Sequence, residues 1–353
     1  MSTEQFLKAL QSDAPRQPII VAELSGNHNK SLDRALRLVE EAAGCGVDAI
    51  KLQTYTADGI TLDIARDEFI VNNPSSVWHG RSLHSLYREA QTPWDWHAPI
   101  IERARSLGLG WFSSPFDFAA VDFLEAFDPP CYKIASPEIV DLPLIAKCAQ
   151  TGRALIISTG MASVCEIAEA VETARANGCE RVLLLKCTTD YPASPAQANL
   201  STIPHMRDLF RCPVGFSDHT LGVASARVAT SLGAALIEKH FTLNRSDGGP
   251  DAHFSIEPPE MKQLVEQSHA AWQSLGTVGY GPLGPEFSYM RGRRSLYISR
   301  DLRAGDELNA ENISSIRPGL GLLPKYYNLI VTNNVKLKCD AKKGTPLAWE
   351  MFM

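Results

Sequence analysis

The sequence predicts a (β/α)8 barrel of the TIM type followed by a small β-rich C-terminal domain. Three observations predict it. Eight short apolar runs alternate with helical segments between residues 18 and 275. Nearly every run ends in a polar residue, the place where such barrels carry their chemistry. After Gly276 the alternation stops and short β-like segments take over. An open doubly wound sheet is the alternative topology; the even spacing and the polar strand ends favour closure.

Pro18 to Glu23 (PIIVAE) is continuously apolar, as a strand covered on both faces should be. Ser31 then caps a helix over Leu32 to Ala43, ended by Gly44 and Gly46. Asp48 to Gln53 is the second strand. A long insertion follows, Thr54 to about Trp96, rich in turn residues and aromatics; segments of that length in a compact domain usually serve function. A helix runs from Trp96 to Leu107. Strands three to six are Gly110 to Ser114, Tyr132 to Ser136, Ala154 to Thr159 and Arg181 to Lys186, with helices over 118–127, 142–151 and 164–177. Strands seven and eight are PVGF and AALIE, separated by a helix over 222–232 and followed by one over 259–275. The domain reading is a barrel over 1–280, a Gly- and Pro-rich linker over 281–292 and a separate domain over 293–353.

The 353 residues hold 44% hydrophobic side chains, enough for a large core plus a smaller one. Forty acidic residues against 34 basic ones argue against nucleic acid as a partner. The first 18 residues show no apolar core of a secretory signal, and no 18-residue apolar run predicts a membrane helix. The eight cysteines form no CxxC pair and read as reduced, buried residues, so a cytoplasmic protein is expected. No Gly-rich nucleotide fingerprint follows the first strand.

The chemistry is expected at the strand ends. Ser217-Asp218-His219 and Glu238-Lys239-His240 close strands seven and eight, so His219 and His240 leave adjacent strands on one rim, where neutral imidazoles can share a divalent metal. Asp251, behind Gly248-Gly249-Pro250, can fold back over them. The same rim collects Glu23, Lys51, Gln53, Ser114, Lys133, Ser136, Glu138, Ser158, Lys186, Thr189 and Ser217. Lysines beside hydroxyls suit an anion, most simply a phosphate. A carboxylate such as Glu23 or Glu138 would move a proton or orient water. Alternatively Lys51 or Lys133 forms a Schiff base, Lys186 is a solvated tip, and Cys187 is structural.

At these residues the sequence resembles the sialic acid synthase family, which condenses phosphoenolpyruvate with an amino sugar. The matching motifs are VAELSGNHN (21–29), IKLQ (50–53), YKIASPE (132–138), STGM (158–161), LLKCTTDYP (184–192), GFSDHT (215–220), IEKHFTL (237–243) and SIEP (255–258). The segment DLRAGDELNAENISSIRPGLGL is similar to that family's appended SAF (antifreeze-like) domain. Segments 85–97, 245–258 and 293–302 resemble the branch acting on 2,4-diacetamido-2,4,6-trideoxy-altrose; sister branches make N-acetylneuraminate or legionaminate.

The resemblance implies a transferase. His219 and His240 would bind a divalent metal, manganese or else magnesium or cobalt. Lys51, Ser114, Lys133, Ser136, Ser158, Thr189 and Ser217 would contact phosphoenolpyruvate, although Thr189 replaces an asparagine of the neuraminate enzymes. Gln53, Tyr191 and Asp251 would lie near the acceptor sugar. Arg317 would reach its acetamido group across a domain-swapped homodimer. In the implied reaction, C3 of phosphoenolpyruvate attacks the C1 aldehyde, water adds at C2 with help from Glu138 or Glu23, and C–O cleavage releases phosphate. Rival readings are a metal-dependent aldolase, the related deoxy-heptulosonate synthase, and a carbohydrate- or ice-binding protein.

Overall fold

The computed structural model describes residues 17–74 and 76–353. The chain divides into two compact units, one ending at Gly276 and one spanning Thr277–Met353. The first is a closed barrel of eight parallel strands: β1 Ile19–Glu23, β2 Ala49–Thr54, β3 Gly110–Pro115, β4 Cys131–Ile134, β5 Ala154–Ser158, β6 Val182–Cys187, β7 Val214–Asp218 and β8 Leu236–His240. β8 pairs back onto β1 in register from Ile19↔Leu236 to Glu23↔His240, which closes the ring.

Side chains alternate along each strand, so every strand divides its residues between two cores. Ile19, Val21, Ala49, Phe112, Ile156, Leu183 and Leu185 fill the barrel interior. Ile20, Ala22, Ile50, Leu52, Trp111, Ile157 and Ile237 face the helices instead. Because both faces are covered, the strands read as unbroken apolar runs.

The covering helices are α1 Leu32–Gly44, α3 His97–Ser106, α4 Phe118–Glu125, α5 Leu142–Gln150, α6 Val164–Ala176, α7 Thr202–Phe210, α8 Ala224–Ser231 and α9 Pro258–Leu275, with α2 Leu83–Ala90 inside the insertion. Ser31 accepts from the Arg34 amide at the start of α1, and Ser163 with Glu166 forms a full capping box on α6. The helix α7 is not among the helices the sequence predicts. Pro192, Pro195 and Pro204 make its stretch look like loop, yet Pro204 sits in the first turn, where a missing amide costs nothing.

The described residues of the insertion are tied together by specific hydrogen bonds. A one-turn helix at Ala57–Ile60 and α2 are tied by His84 Nε2 to Asp58 Oδ1 at 2.8 Å, and the Ala57 amide donates to Gln91 Oε1 at 2.9 Å.

In the second unit, β9 Ser295–Ile298 and β10 Ile313–Ile316 pair antiparallel. Isolated bridges such as Leu302↔Ala341 and Leu337↔Phe352 supply the other pairings. Its core gathers Leu296, Ile298, Leu308, Ile330, Leu337 and Leu347.

Candidate active site

Strand alternation and register together build the site. Glu23 is the last residue of β1, level with Lys51 on β2 and His240 on β8. Gln53 is level with Ser114, Cys187 with Ser217, and Ser217 with Glu238. All of these side chains share the inward parity, so they meet at the C-terminal mouth. A cavity of about 390 Å³ opens there. It is lined by Lys51, Gln53, Lys133, Ser136, Glu138, Ser158, Thr189, Tyr191, Ser217, His219, His240 and Asp251 from the expected set. Glu23 and Ser114 lie just beneath, against the Lys51 ammonium: 2.7 Å to Glu23 Oε2 and 3.5 Å to Ser114 Oγ.

The centre of this network is Glu238, which the sequence reading did not place in the site. Its carboxylate accepts from Lys133 Nζ through both oxygens at 3.1 Å and from Ser217 Oγ at 3.3 Å, and Lys51 Nζ is 3.6 Å away. The signal was present: Glu238 is two residues before His240, so on a strand the two must face the same way. Lys239 between them points outward and pairs with buried Asp218 at 2.8 Å.

Burial opposes every charge in this cluster, and partners decide the outcome. Burial pushes the Glu238 carboxyl up, but the two ammoniums outweigh it and hold it at about 2. Burial lowers Lys51, and Glu23 with Glu238 more than restores it, so it is raised. At Lys133 burial wins and the pKa falls, because Lys51 repels it while Glu238 offsets only part. Burial raises Glu23, although Lys51 opposes the rise. Glu23 Oε1 also accepts from Gln53 Nε2 and the Ser25 amide, both at 3.1 Å.

Glu138 differs. It hangs from a 3-10 turn after β4, and its Oε2 is buried with no hydrogen-bond partner among the described residues. Burial raises it to about 7 despite the opposing charge of Lys133.

The hydroxyl rim is equally close-knit. Ser136 Oγ accepts from the Gly160 amide at 3.0 Å. A Cβ on Gly160 would collide with the Ser136 and Thr189 hydroxyls, so this turn needs glycine. Ser158 Oγ is buried without a hydrogen-bond partner among the described residues, which leaves it free for a ligand.

His219 and His240 face each other with ring centroids 5.4 Å apart. Nδ1 of His219 donates to the Thr188 carbonyl at 2.9 Å, so the neutral form of this ring carries its lone pair on Nε2; burial opposes the charged form, but Cys187, the Thr188 carbonyl and Glu238 outweigh it and raise the pKa. His240 Nδ1 is buried without a hydrogen-bond partner among the described residues, and burial together with the charges of His219 and the lysines holds the pKa of this imidazole well below its ordinary value. Among the described residues no third His, Cys, Asp or Glu completes a three-ligand cluster. Tyr191 stacks on His219 at 4.4 Å, and Phe254 packs on His240 at 4.8 Å.

Asp251 reaches the mouth on a loop held by two other segments, the first βα loop and the insertion. Its carboxylate accepts from Ser25 Oγ, Trp78 Nε1 donates to the Pro250 carbonyl at 2.8 Å, and Asn29 Nδ2 to the Gly248 carbonyl at 3.0 Å.

Two expectations need correction or relocation. Lys186 does not join the rim: as an outward residue of β6 its ammonium turns to the Cys187 carbonyl at 2.8 Å and lines a separate cavity between α6 and α7. The inward neighbour, Cys187, takes the place at the mouth. Arg317 lies in the second unit and is exposed.

The fold and site define a barrel enzyme that gathers lysines, hydroxyls and a histidine pair around one anion-sized cavity. The chain belongs to the NeuB family, whose match covers residues 38–280, and residues 293–353 match the SAF domain. It is 41% identical to the pseudaminic acid synthase of Helicobacter pylori, over 94% of this chain and 96% of that one. It is 36% identical to the N,N'-diacetyllegionaminic acid synthase of Legionella pneumophila, over 94% and 93%. Among solved structures it resembles the N-acetylneuraminic acid synthetase of Leptospira borgpetersenii, with a TM-score of 0.69, 29% identity and coverage of 79% and 92%.

Glu238→Gln keeps the shape but leaves two buried lysines short of a counter-charge. Removing one partner of a buried ion pair costs about 3–5 kcal/mol. Chemical denaturation should show a loss of that size; a loss near zero would mean that the lysines do not depend on Glu238.

Proposed function

We propose that this chain condenses phosphoenolpyruvate with an open-chain diacetamido sugar and water, giving a pseudaminic acid-type product and phosphate. The observation that carries the reading is the cavity in which two lysines, a hydroxyl rim and a facing histidine pair converge. The sequence likeness to named pseudaminic acid synthases supports the acceptor class.

The residues divide the work. Lys51 and Lys133, with Ser114, Ser136, Ser158, Thr189 and Ser217, hold the phosphate and carboxylate of phosphoenolpyruvate by charge-assisted hydrogen bonds. His219 and His240 would hold a divalent cation, manganese by resemblance; the free Nε2 of His219 and the neutral His240 fit that role. When bound, that ion supplies Lewis-acid polarisation of the acceptor carbonyl. Gln53, Tyr191 and Asp251 orient the sugar. C3 of phosphoenolpyruvate bonds to C1 of the acceptor, water adds to C2, and the C2–O bond breaks to release phosphate. Glu138 is the better candidate to take the proton from that water, because Glu23 is already engaged by Lys51, Gln53 and the Ser25 amide. Across a swapped dimer, Arg317 of a second copy would complete the acceptor side.

Three measurements test this reading. Phosphate release should require a diacetamido sugar and a divalent cation, with chelation abolishing it and manganese restoring it. Turnover of N-acetylmannosamine alone would reassign the chain to the neuraminate reaction, and release only with the legionaminate precursor to that sister branch. If Glu138 is the base, it must be ionised, so kcat should rise with pH through about 7. Glu138→Gln should lower kcat by about 10²–10⁴-fold and remove that limb; an unchanged limb would exclude it. Finally, Arg317→Ala and His240→Ala proteins, each impaired, should regain partial activity after subunit exchange, since one mixed site would be intact. Absence of complementation would refute the swapped arrangement.

A further inference from the structure

We infer, on the reading that His219 and His240 hold a divalent cation, that the buried pair Asp218–Lys239 sets the position of His219. Neither residue lines the cavity, so both act through the backbone of the turn that carries the imidazole.

Asp218 and Lys239 are level across β7 and β8 and take the outward parity, one residue before His219 and His240 respectively. Their contacts converge on Thr220, the residue after His219. One Asp218 oxygen accepts from the Thr220 amide at 2.8 Å and from its hydroxyl at 2.7 Å. The other accepts from Lys239 Nζ at 2.8 Å, and the same ammonium donates to the Thr220 carbonyl. The pair thus engages the amide, the hydroxyl and the carbonyl of one residue. Asp218, Thr220 and Lys239 are each only 1% exposed, so losing a partner leaves a buried donor or acceptor unmet.

His219 is therefore flanked by two clamped residues. Its own carbonyl accepts from the Ala193 amide at 2.9 Å and its Nδ1 donates to the Thr188 carbonyl at 2.9 Å, both in the segment after β6. The end of β8 is tied differently, by backbone bonds: the Phe241 amide to the Glu23 carbonyl at 2.8 Å and the Ile256 amide to the His240 carbonyl at 2.9 Å. The side-chain clamp therefore bears on His219 more than on His240. A buried ion pair is a weak means of stabilising a core, since apolar residues of similar volume often serve as well. What the ammonium and carboxylate add is direction, through charge-assisted hydrogen bonds to Thr220. Groups that orient a metal ligand from behind typically change metal affinity 10–100-fold.

The test is manganese binding to the full chain, stripped of metal by chelation and titrated calorimetrically. Wild-type binding should vanish in His240→Ala, which locates the ion at the histidine pair. Lys239→Met should weaken binding by roughly 10–100-fold and the near-isosteric Thr220→Val by about tenfold. KM for phosphoenolpyruvate at saturating manganese should stay unchanged. Thr220→Val loses only a hydroxyl, so a folded variant is expected even where Lys239→Met fails. Leu144→Ala, in the core under α5 on the β4–β5 side of the ring, lowers stability without touching the clamp and should bind manganese as the wild type does. Wild-type affinity in the folded clamp variants, or an equal loss in Leu144→Ala, would overturn the positioning role and leave the condensation standing. A wild-type chain that binds no manganese, or binds it no better than His240→Ala, would remove the cation reading and this inference together.

Discussion

Two lysines inside a barrel are tolerable only if something answers their charge, and the Glu238 carboxylate does so for both. Lys133 reaches it with two contacts and Lys51 approaches from the other side, while Glu23 takes the remaining face of Lys51. The result is a compact set of two cations and two anions where a barrel of ordinary apolar packing would end. It holds the ammoniums in fixed positions before any ligand arrives, and fixed donors are what an anion site needs. The arrangement depends on the ring being closed: Glu238 is on β8, Lys51 on β2 and Lys133 on β4, so no local stretch of sequence could assemble it.

That dependence explains what the sequence could and could not reveal. The strands were legible because a doubly covered strand is apolar throughout and ends at a polar residue. Lys51, Lys133, His219 and His240 were legible for the same reason, as the polar stops of those runs. Glu238 was hidden inside the apolar-to-polar transition of its own strand, and only parity with His240 exposes it. The same parity misassigned Lys186: it ends an apolar run as Lys51 does, but one residue out of step, so it faces the helices and Cys187 faces the cavity. The helix α7 escaped because its prolines resemble loop punctuation. The packing of the insertion was not legible either, since its apolar residues follow no long period and gain meaning only from the wall they form together.

The two sides of the cavity are built from different material. The lysine side is strand: Lys51, Lys133, Ser114, Ser158 and Ser217 all belong to the ring, and their positions follow from register. The opposite side is loop and insertion. Asp251 is placed by Ser25 and, through Gly248, by Asn29 of the first βα loop, and by Trp78 of the insertion, so two separate segments must agree before it points into the mouth. Trp78 further stacks on Tyr191, and Tyr191 on His219. The loop surface around Asp251 is therefore linked to the histidine pair through aromatic contacts, while the lysines act on His240 through their charge.

This division has a consequence for how such proteins differ. A change in the ring disturbs both cores at once, because each strand serves the barrel interior with one parity and the helix layer with the other. A change in the insertion touches only the mouth. Ile60 and Val71 belong to the insertion, whereas the positions of Lys51, Lys133 and Glu238 follow from the ring. The chain is about as close to named synthases of pseudaminic acid, at 38–41% identity, as to one of N,N'-diacetyllegionaminic acid, at 36%. The insertion lies outside that ring and lines the mouth with Ile60, Val71, Leu83 and Leu86 beside Tyr55 and Tyr87.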